Sequence, residues 1–424
     1  MVSSGSPGTW TTWLDRHSGD HFSPALALLA PLYRLFPIAL TLLVVQCAAV
    51  ALSVVPVTVA ARRLFGGRAA LLVGSAYGLS WGLASGIDSQ FHEYALAVPV
   101  LAFALAALLA GRWLAAALWA GTLPLVKEDL ALTVVVVGRL MVAIGRWRLA
   151  GFPELDRQRC ARIGTVLALV GAVAGLLIFT VLIPLANPDG QWDYWEKLNG
   201  ESAGWWSGLK GLPVPAEKVD TLVLLVAVSA GAALVSPLAL LAVPTLVWRF
   251  ASADPHHWGA GYQYSMILMP IVFLALVDAA ARLGASASAG VRAYARVAPL
   301  AAAFALGSRV HFPLGKVADP VAFGPSERAA AAEAALVQVP GGASVAGDCG
   351  LIAYLTGRCD VYWLGGDSGA AAPDYVLIDP QSGWSDDPGD PAQVAEFNYP
   401  GHRSATVDLG ASAGDYRLAE RRGR

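Results

Sequence analysis

Four short stretches of this 424-residue chain set ionisable side chains against long apolar runs. GDHFSP carries Asp20 and His21, FHEYALAVP carries His92 and Glu93, VKEDLAL carries Lys127, Glu128 and Asp129, and ADPHHWGAGYQYSM carries His256, His257, Tyr262 and Tyr264. A carboxylate beside an imidazole can take up and return a proton, and a lysine in apolar surroundings can hold a phosphate as a point charge, at lower cost if a carboxylate stands beside it. Each stretch has a plainer reading too. Asp20 and His21 precede Pro24, which suits the first turn of a helix, so a helix cap with an interfacial histidine fits as well as a catalytic pair. Glu93 suits a helix start, where the dipole favours an acid, and Asp129 suits an N-cap after a tight hairpin turn. Trp and Tyr around His257 suit an interfacial belt. His256 and His257 are adjacent rather than spaced for one helical face, which speaks against a two-histidine metal site. VKED is the sharpest of the four, because it interrupts an otherwise apolar run from Trp113 to Val137, and charges at membrane depth are costly enough to imply a function. The loop NPDGQWDYWEKLNG (187–200) is long enough to cover a site. Its aromatics and acids suit sugar binding, although interfacial packing explains them equally.

These residues are positioned by membrane helices. Hydrophobic residues make up 56% of the chain and charged ones only 14%, against roughly a quarter charged in soluble domains. Apolar runs at 37–62, 68–86, 93–110, 112–126, 130–145, 163–186, 219–235, 237–250, 264–283 and 291–307 predict about ten transmembrane helices. Several fall short of the roughly 20 residues of a straight span, so 112–126 and 130–145 are read alternatively as a hairpin. A net charge of -2 offers no basic field for nucleic acid. The expected architecture is mainly α: a polytopic membrane helix bundle over 1–307 and a small C-terminal α/β domain over 308–424.

Sidedness follows from the basic residues. One set of alternate loops, around 62–68, 112, 139–162 and 282–296, holds 13 Lys and Arg, against 7 in the opposite set. The basic set is therefore expected on the cytoplasmic side. All four chemical stretches, and the C-terminal domain, are then extracytoplasmic, in a multi-pass protein of the cell membrane. That arrangement puts the N-terminus outside although its first residues contain no apolar run. We expect a further helix ahead of Met1; a short tail translocated with the first helix is the other reading.

In the C-terminal domain, 327–340 and 349–358 read as helices, and 342–348, 360–364 and 373–379 as strands. The GDCG turn matches no phosphate-binding fingerprint. From Pro380 onward Gly, Pro and Asp dominate, and the tail RLAERRGR is expected to be loosely ordered. Cys47 and Cys160 read as small buried hydrophobes. Cys349 and Cys359 would be close enough in sequence to pair outside the cytoplasm, but the intervening helix pattern holds them apart.

The ordered motifs HFSPALALLAPLYRLFP, FHEYALAVP, LPLVKEDLAL, IPLANPDG with WDYW, and YQYSMILMP, followed by ASVAGD, LTGRCDVYWL and DYVLID, resemble the bacterial membrane-protein family called domain of unknown function 2079. That family is similar to the polytopic glycosyltransferases that take sugars from polyprenyl-phosphate donors. The resemblance implies a site on the outer face, with Asp20 as base or metal ligand, His21 and Glu93 supporting it, and Lys127 touching the donor phosphate. His92, Glu128, His257 and Tyr264 would line the pocket. A divalent metal is compatible with such chemistry, but no ligand set can be assigned to it. Family members usually carry one more helix and further acids before HFSP, which this sequence lacks. Two other readings stay open: a transporter or lipid-handling protein, and a non-catalytic membrane scaffold.

Overall fold

The computed structural model describes residues 21–147, 156–187, 215–297, 313–316, 319–324, 326–364, 372–382, 389–399, 401 and 403–422. The chain divides into two compact units. The larger is built from Leu43–Lys316 together with the segment ending at Ala30, and the smaller from Pro31–Leu42 and Val317–Arg424.

The larger unit is a bundle of apolar helices. Among the described residues, five helical stretches are long and apolar enough to cross a membrane: Ala39–Arg63, Gly67–Asp88, Leu130–Trp147, Arg157–Ala186 and Gln263–Gly284. Four shorter apolar helices accompany them, at Pro24–Leu35, Tyr94–Leu109, Trp113–Leu125 and Pro237–Ala251. We label the α-helices α1 (Ala39–Phe65), α2 (Gly67–Gly78), α3 (Trp81–Asp88), α4 (Tyr94–Leu109), α5 (Trp113–Gly121), α6 (Leu130–Trp147), α7 (Arg157–Leu177), α8 (Ala216–Ala227), α9 (Val243–Ala251) and α10 (Leu268–Gly284).

The bundle is organised around α10 and α4, which are buried along most of their length. Phe273 of α10 meets Tyr77 of α2 edge-on with ring centroids 5.4 Å apart, and the Tyr77 hydroxyl donates to Ser53 Oγ on α1 at 2.8 Å. By contrast α1 and α7 leave Val44, Leu52, Val55, Leu169 and Leu176 exposed, as helices facing lipid do. Helix α6 packs along α7 at close range. A Cβ at Gly138 would stand 2.5 Å from the Gly164 carbonyl oxygen, and one at Gly145 would stand 2.5 Å from the Arg157 carbonyl oxygen, so any larger residue would force the pair apart. The segments 112–126 and 130–145 are therefore not a self-contained hairpin, since α6 takes the following helix as its long-range neighbour.

Several expected spans carry interruptions, although 68–86 and 163–186 each stay within one apolar helical stretch, Gly67–Asp88 and Arg157–Ala186. The run 68–86 divides at Leu79–Ser80 into α2 and α3. Where 219–235 and 237–250 read as two helices, α8 stops at Ala227, Ala230 and Gly231 turn left-handed, and 3-10 turns run to Ala242 before α9 begins. Pro237 and Pro244 each remove a helical donor there, and Gly231 supplies the positive φ. The run 163–186 starts earlier, at Arg157, and carries a π-helical stretch at Ile178–Leu182. The tenth run, 291–307, lies largely outside the described residues.

The smaller unit is α/β. Strands β1 (Ser344–Gly347), β2 (Asp360–Trp363), β3 (Tyr375–Ile378), β4 (Ser404–Val407) and β5 (Arg417–Arg421) form one sheet in the order β2-β1-β3-β5-β4. The first three are parallel; β5 runs antiparallel to both β3 and β4. Helices α11 (Glu327–Val337) and α12 (Pro391–Asn398) carry side-chain N-caps from Ser326 and Asp390. Val345, Leu377, Leu418 and Ala335 share one core. Tyr33 belongs to this unit through a 2.7 Å hydrogen bond between its hydroxyl and Thr356 Oγ1.

Three expectations for this unit are corrected. The stretch 349–358 is helical only at Cys349–Ile352 and then turns. The helix over 327–340 ends at Val337. The tail expected to be loose forms β5, an interior strand, because Leu418 and Ala419 bury their side chains on the two faces of the sheet. Cys359 is a free thiol with its Sγ 3.3 Å from the Pro340 carbonyl oxygen, and the side chain of Cys349 lies outside the described residues.

Candidate functional site

Three helix beginnings bring their charges together. His21 precedes the 3-10 turn Pro24–Leu29, Glu93 precedes α4, and Lys127–Asp129 precede α6. Such ends present unpaired backbone N–H groups and a partial positive charge, which favour nearby carboxylates. Here, however, the acids turn to side chains instead. Glu93 makes no side-chain cap to α4; its Oε1 accepts from Lys127 Nζ. Asp129 Oδ2 accepts from the Tyr94 hydroxyl at 2.7 Å rather than capping α6. Neither side chain caps its helix, although Glu93 does stand at the N-cap position of α4.

His21 Nδ1 lies 2.8 Å from Glu128 Oε1, and the Phe22 backbone N–H donates to Glu128 Oε2 at 3.2 Å. Glu128 is 3% exposed. Its second neighbour is Lys127, whose Nζ stands 3.9 Å from Oε1 and also lies over the Tyr94 ring, 5.3 Å from the centroid. One lysine thus sits between two carboxylates, and one of those carboxylates holds a histidine.

Electrostatics keep these groups charged despite burial. Burial alone would raise the Glu93 carboxyl, but Lys127 and then His21 hold it far below the ordinary carboxylate range. Glu128 is burdened in the same way, and Lys127 and His21 again bring it below its ordinary value. Burial works against the charge on Lys127, and Glu93, Glu128 and Asp129 outweigh it and raise its proton affinity. Asp129 differs: burial pushes it up to about 6, against the pull of Lys127 and with the help of Glu128.

His92 stands within electrostatic reach of Glu93, Lys127 and His21, with its own proton affinity lowered by burial more than Glu93 restores it. Its backbone N–H donates to Gln46 Oε1 at 3.0 Å. Gln46 is fully buried on α1, and its Nε2 donates to the carbonyls of Gly86 (3.3 Å) and Gln90 (2.8 Å). Gln90 is left-handed, with φ 71. That costs a non-glycine residue of order 1 kcal/mol, so Gln46 serves as the strut that holds the turn from α3 to Glu93. Sequence reasoning missed it, although a lone amide within LTLLVVQCAAV was the signal.

The ADPHHWGAGYQY stretch forms a second, adjoining group. His257 is buried, with Nδ1 2.7 Å from Ser252 Oγ and its ring 4.9 Å from that of Tyr264. Arg249, 0% exposed, donates to the carbonyls of His257 and Gly259 at 2.8 Å each and so pins the loop from below. Tyr264 lies within electrostatic reach of Lys127 and Glu93, which joins this group to the first. His256 is exposed and bonded to Asp254. Of the residues expected to share a site, His21, His92, Glu93, Lys127, Glu128, His257 and Tyr264 are thus assembled in one unit; Asp20 lies outside the described residues. Among the described residues, no three His, Cys, Asp or Glu side chains are gathered so as to hold a metal ion, and no step below is routed through one.

Apolar helices with a charged cluster buried at their beginnings define a multi-pass membrane protein with a polar site at one end of its bundle. The chain belongs to the predicted membrane protein family DUF2079, whose family model matches residues 15–402. No curated protein matches it. Among solved structures, that of ArnT from Cupriavidus metallidurans in the apo state aligns with 97% of this chain and 86% of its own, at 14% identity and a TM-score of 0.43. At that similarity it says nothing of what this chain acts on.

Proposed function

We propose that this protein is a glycosyltransferase-like membrane enzyme that takes a sugar from a polyprenyl-phosphate donor at the outer face of the cell membrane. The observation that carries the reading is the part-buried pair His21–Glu128 beside the part-buried pair Lys127–Glu93. Sugar transfer to a hydroxyl needs a group to take the hydroxyl proton and positive charge near the departing phosphate. His21, fixed by Glu128 at Nδ1, takes the proton at Nε2, and Glu128 stabilises the imidazolium that forms. Asp20, its neighbour in sequence, is proposed to share that task. Lys127, expected to touch the donor phosphate with a carboxylate beside it, has two such carboxylates, Glu93 and Glu128. Its proposed role is to keep Glu93 and Glu128 ionised and to face the phosphate as part of that network. His92, His257 and Tyr264 are proposed to line the sugar side. The outer placement of the site and of the C-terminal unit is supported by the excess of basic residues in the opposite loops.

Buried ion pairs with a carboxyl at about 6 also suit proton-coupled transport. One assay separates the readings: purified protein in lipid nanodiscs is given a panel of polyprenyl-phosphate sugars with hydroxylated acceptors. Release of free polyprenyl phosphate that depends on the protein supports transfer. The same protein reconstituted into vesicles, if it moves the sugar lipid across the membrane without cleaving it, supports transport instead.

A further inference from the structure

Asp129 is the carboxylate of this cluster that the roles above leave unused, and its two oxygens are unequally served. Oδ2 takes the Tyr94 hydroxyl at 2.7 Å, whereas Oδ1 is buried with no hydrogen-bond partner among the described residues. A buried carboxylate oxygen without a donor is costly, and a proton on that oxygen lowers the cost by removing the charge. The charged groups facing it are Lys127 and Glu128 from its own turn, Glu93 from the turn before α4, and the hydroxyl of Tyr94 from the first position of α4. Lys127 is already shared by Glu93 and Glu128, so its single positive charge is spoken for and Asp129 adds a further negative charge to the cluster.

We infer that Asp129 is a proton-binding site of this cluster, taking up a proton at Oδ1, and that binding of a phosphate-bearing ligand draws that proton in. The second half rests on the glycosyltransferase reading, and the first does not. An arriving phosphate meets Glu93, Glu128 and Asp129; protonating Asp129 removes one of the three repulsions without disturbing the pairs that hold Lys127 and His21. Asp129 is also the carboxylate whose proton affinity lies nearest neutrality, since its neighbours are held ionised. Thermodynamic linkage then requires tighter phosphate binding at lower pH.

The test uses the full-length protein in detergent or nanodiscs. Infrared difference spectra recorded through the range around pH 6 should show a protonated-carboxyl band that grows as pH falls. The band should be missing from Asp129→Asn and kept in Asp348→Asn, a buried carboxyl of the other unit. A band that survives in Asp129→Asn, or no band that titrates in this range, would overturn the inference whatever the protein's activity. The second arm measures binding of farnesyl phosphate by calorimetry in two buffers of different ionisation enthalpy. The wild type should take up more protons on binding than Asp129→Asn and lose about tenfold more affinity between pH 5 and pH 7; the ligand's own titration is common to both proteins. Equal uptake by the two would overturn the coupling. If farnesyl phosphate binds neither, the proposed function fails, while the infrared arm still decides whether Asp129 binds the proton.

Discussion

His21 and Glu128 stand 107 positions apart in the chain, yet Nδ1 of one lies 2.8 Å from Oε1 of the other. Glu128 also accepts from the Phe22 backbone, so two consecutive residues converge on one carboxylate. Replacing Glu128 by Gln keeps the shape of the side chain and an acceptor oxygen for one of the two bonds, and removes the charge that stabilises an imidazolium. We expect Glu128→Gln to stay folded, at the cost of one hydrogen bond or about 1 kcal/mol, and to lose about 100-fold in transfer rate, the lower end of what a positioned base contributes. His21→Ala should be less stable than wild type by about 1–3 kcal/mol, because it takes a partner from a buried carboxylate. Thermal unfolding of the two variants checks the contrast.

Lys127 bears on stability more than its place in a short turn suggests. Lys127→Met strips Glu93 and Glu128 of their shared cation and should cost about 3–5 kcal/mol, the usual penalty for breaking a buried pair. Adding Glu93→Gln to Lys127→Met should restore much of that loss. If the double variant is no more stable than the single one, the charges are not what hold this turn.

The acids of the cluster give opposite pH signs. Glu93 and Glu128 are depressed in the folded state, so their stabilisation is present above the ordinary carboxylate range and is lost as pH falls toward their lower folded values. Asp129 is raised from 3.8 to about 6, so its ionisation destabilises the fold as pH rises through that window. Asp129→Asn should therefore be more stable than wild type at pH 7, by at most about 3 kcal/mol, and should show no advantage at pH 4. Melting temperatures measured across that range decide the sign.

The apolar spans were legible because length and composition alone mark them, and so was the gathering of charge at helix beginnings. What was not legible is long-range or short. The His21–Glu128 contact joins residues 107 positions apart, and no local pattern encodes which acid meets which base. Gln46 was read as one more residue of a span, yet it organises the turn that presents Glu93. In the smaller unit β4 and β5 are only four and five residues long, and Gly, Pro and Asp around them masked the signal.

Strand β5 offers its own test. Leu418 is fully buried between β3 and β4, so Leu418→Ala should destabilise the smaller unit by about 2–4 kcal/mol. Limited proteolysis would show faster cleavage of that unit. An unchanged rate would return the tail to the loose state that its composition suggested.

Sidedness can be read with single cysteines in a background freed of the native four. His256→Cys, an exposed position of the site loop, should react with a membrane-impermeant thiol reagent in intact cells, whereas Ala287→Cys should react only after the membrane is opened. The reverse pattern would invert the proposed topology.

The central claim is that His21 and Glu128 act as one proton-accepting unit in sugar transfer. It is tested most directly by the rate of polyprenyl-phosphate release from a sugar donor by the wild type, His21→Gln, Glu128→Gln and the double variant, all compared at equal folded concentration. Each single change should cost about 100-fold or more, and the double change should cost little beyond the worse single one. Losses that multiply in the double variant, or singles that keep the wild-type rate, would contradict that claim.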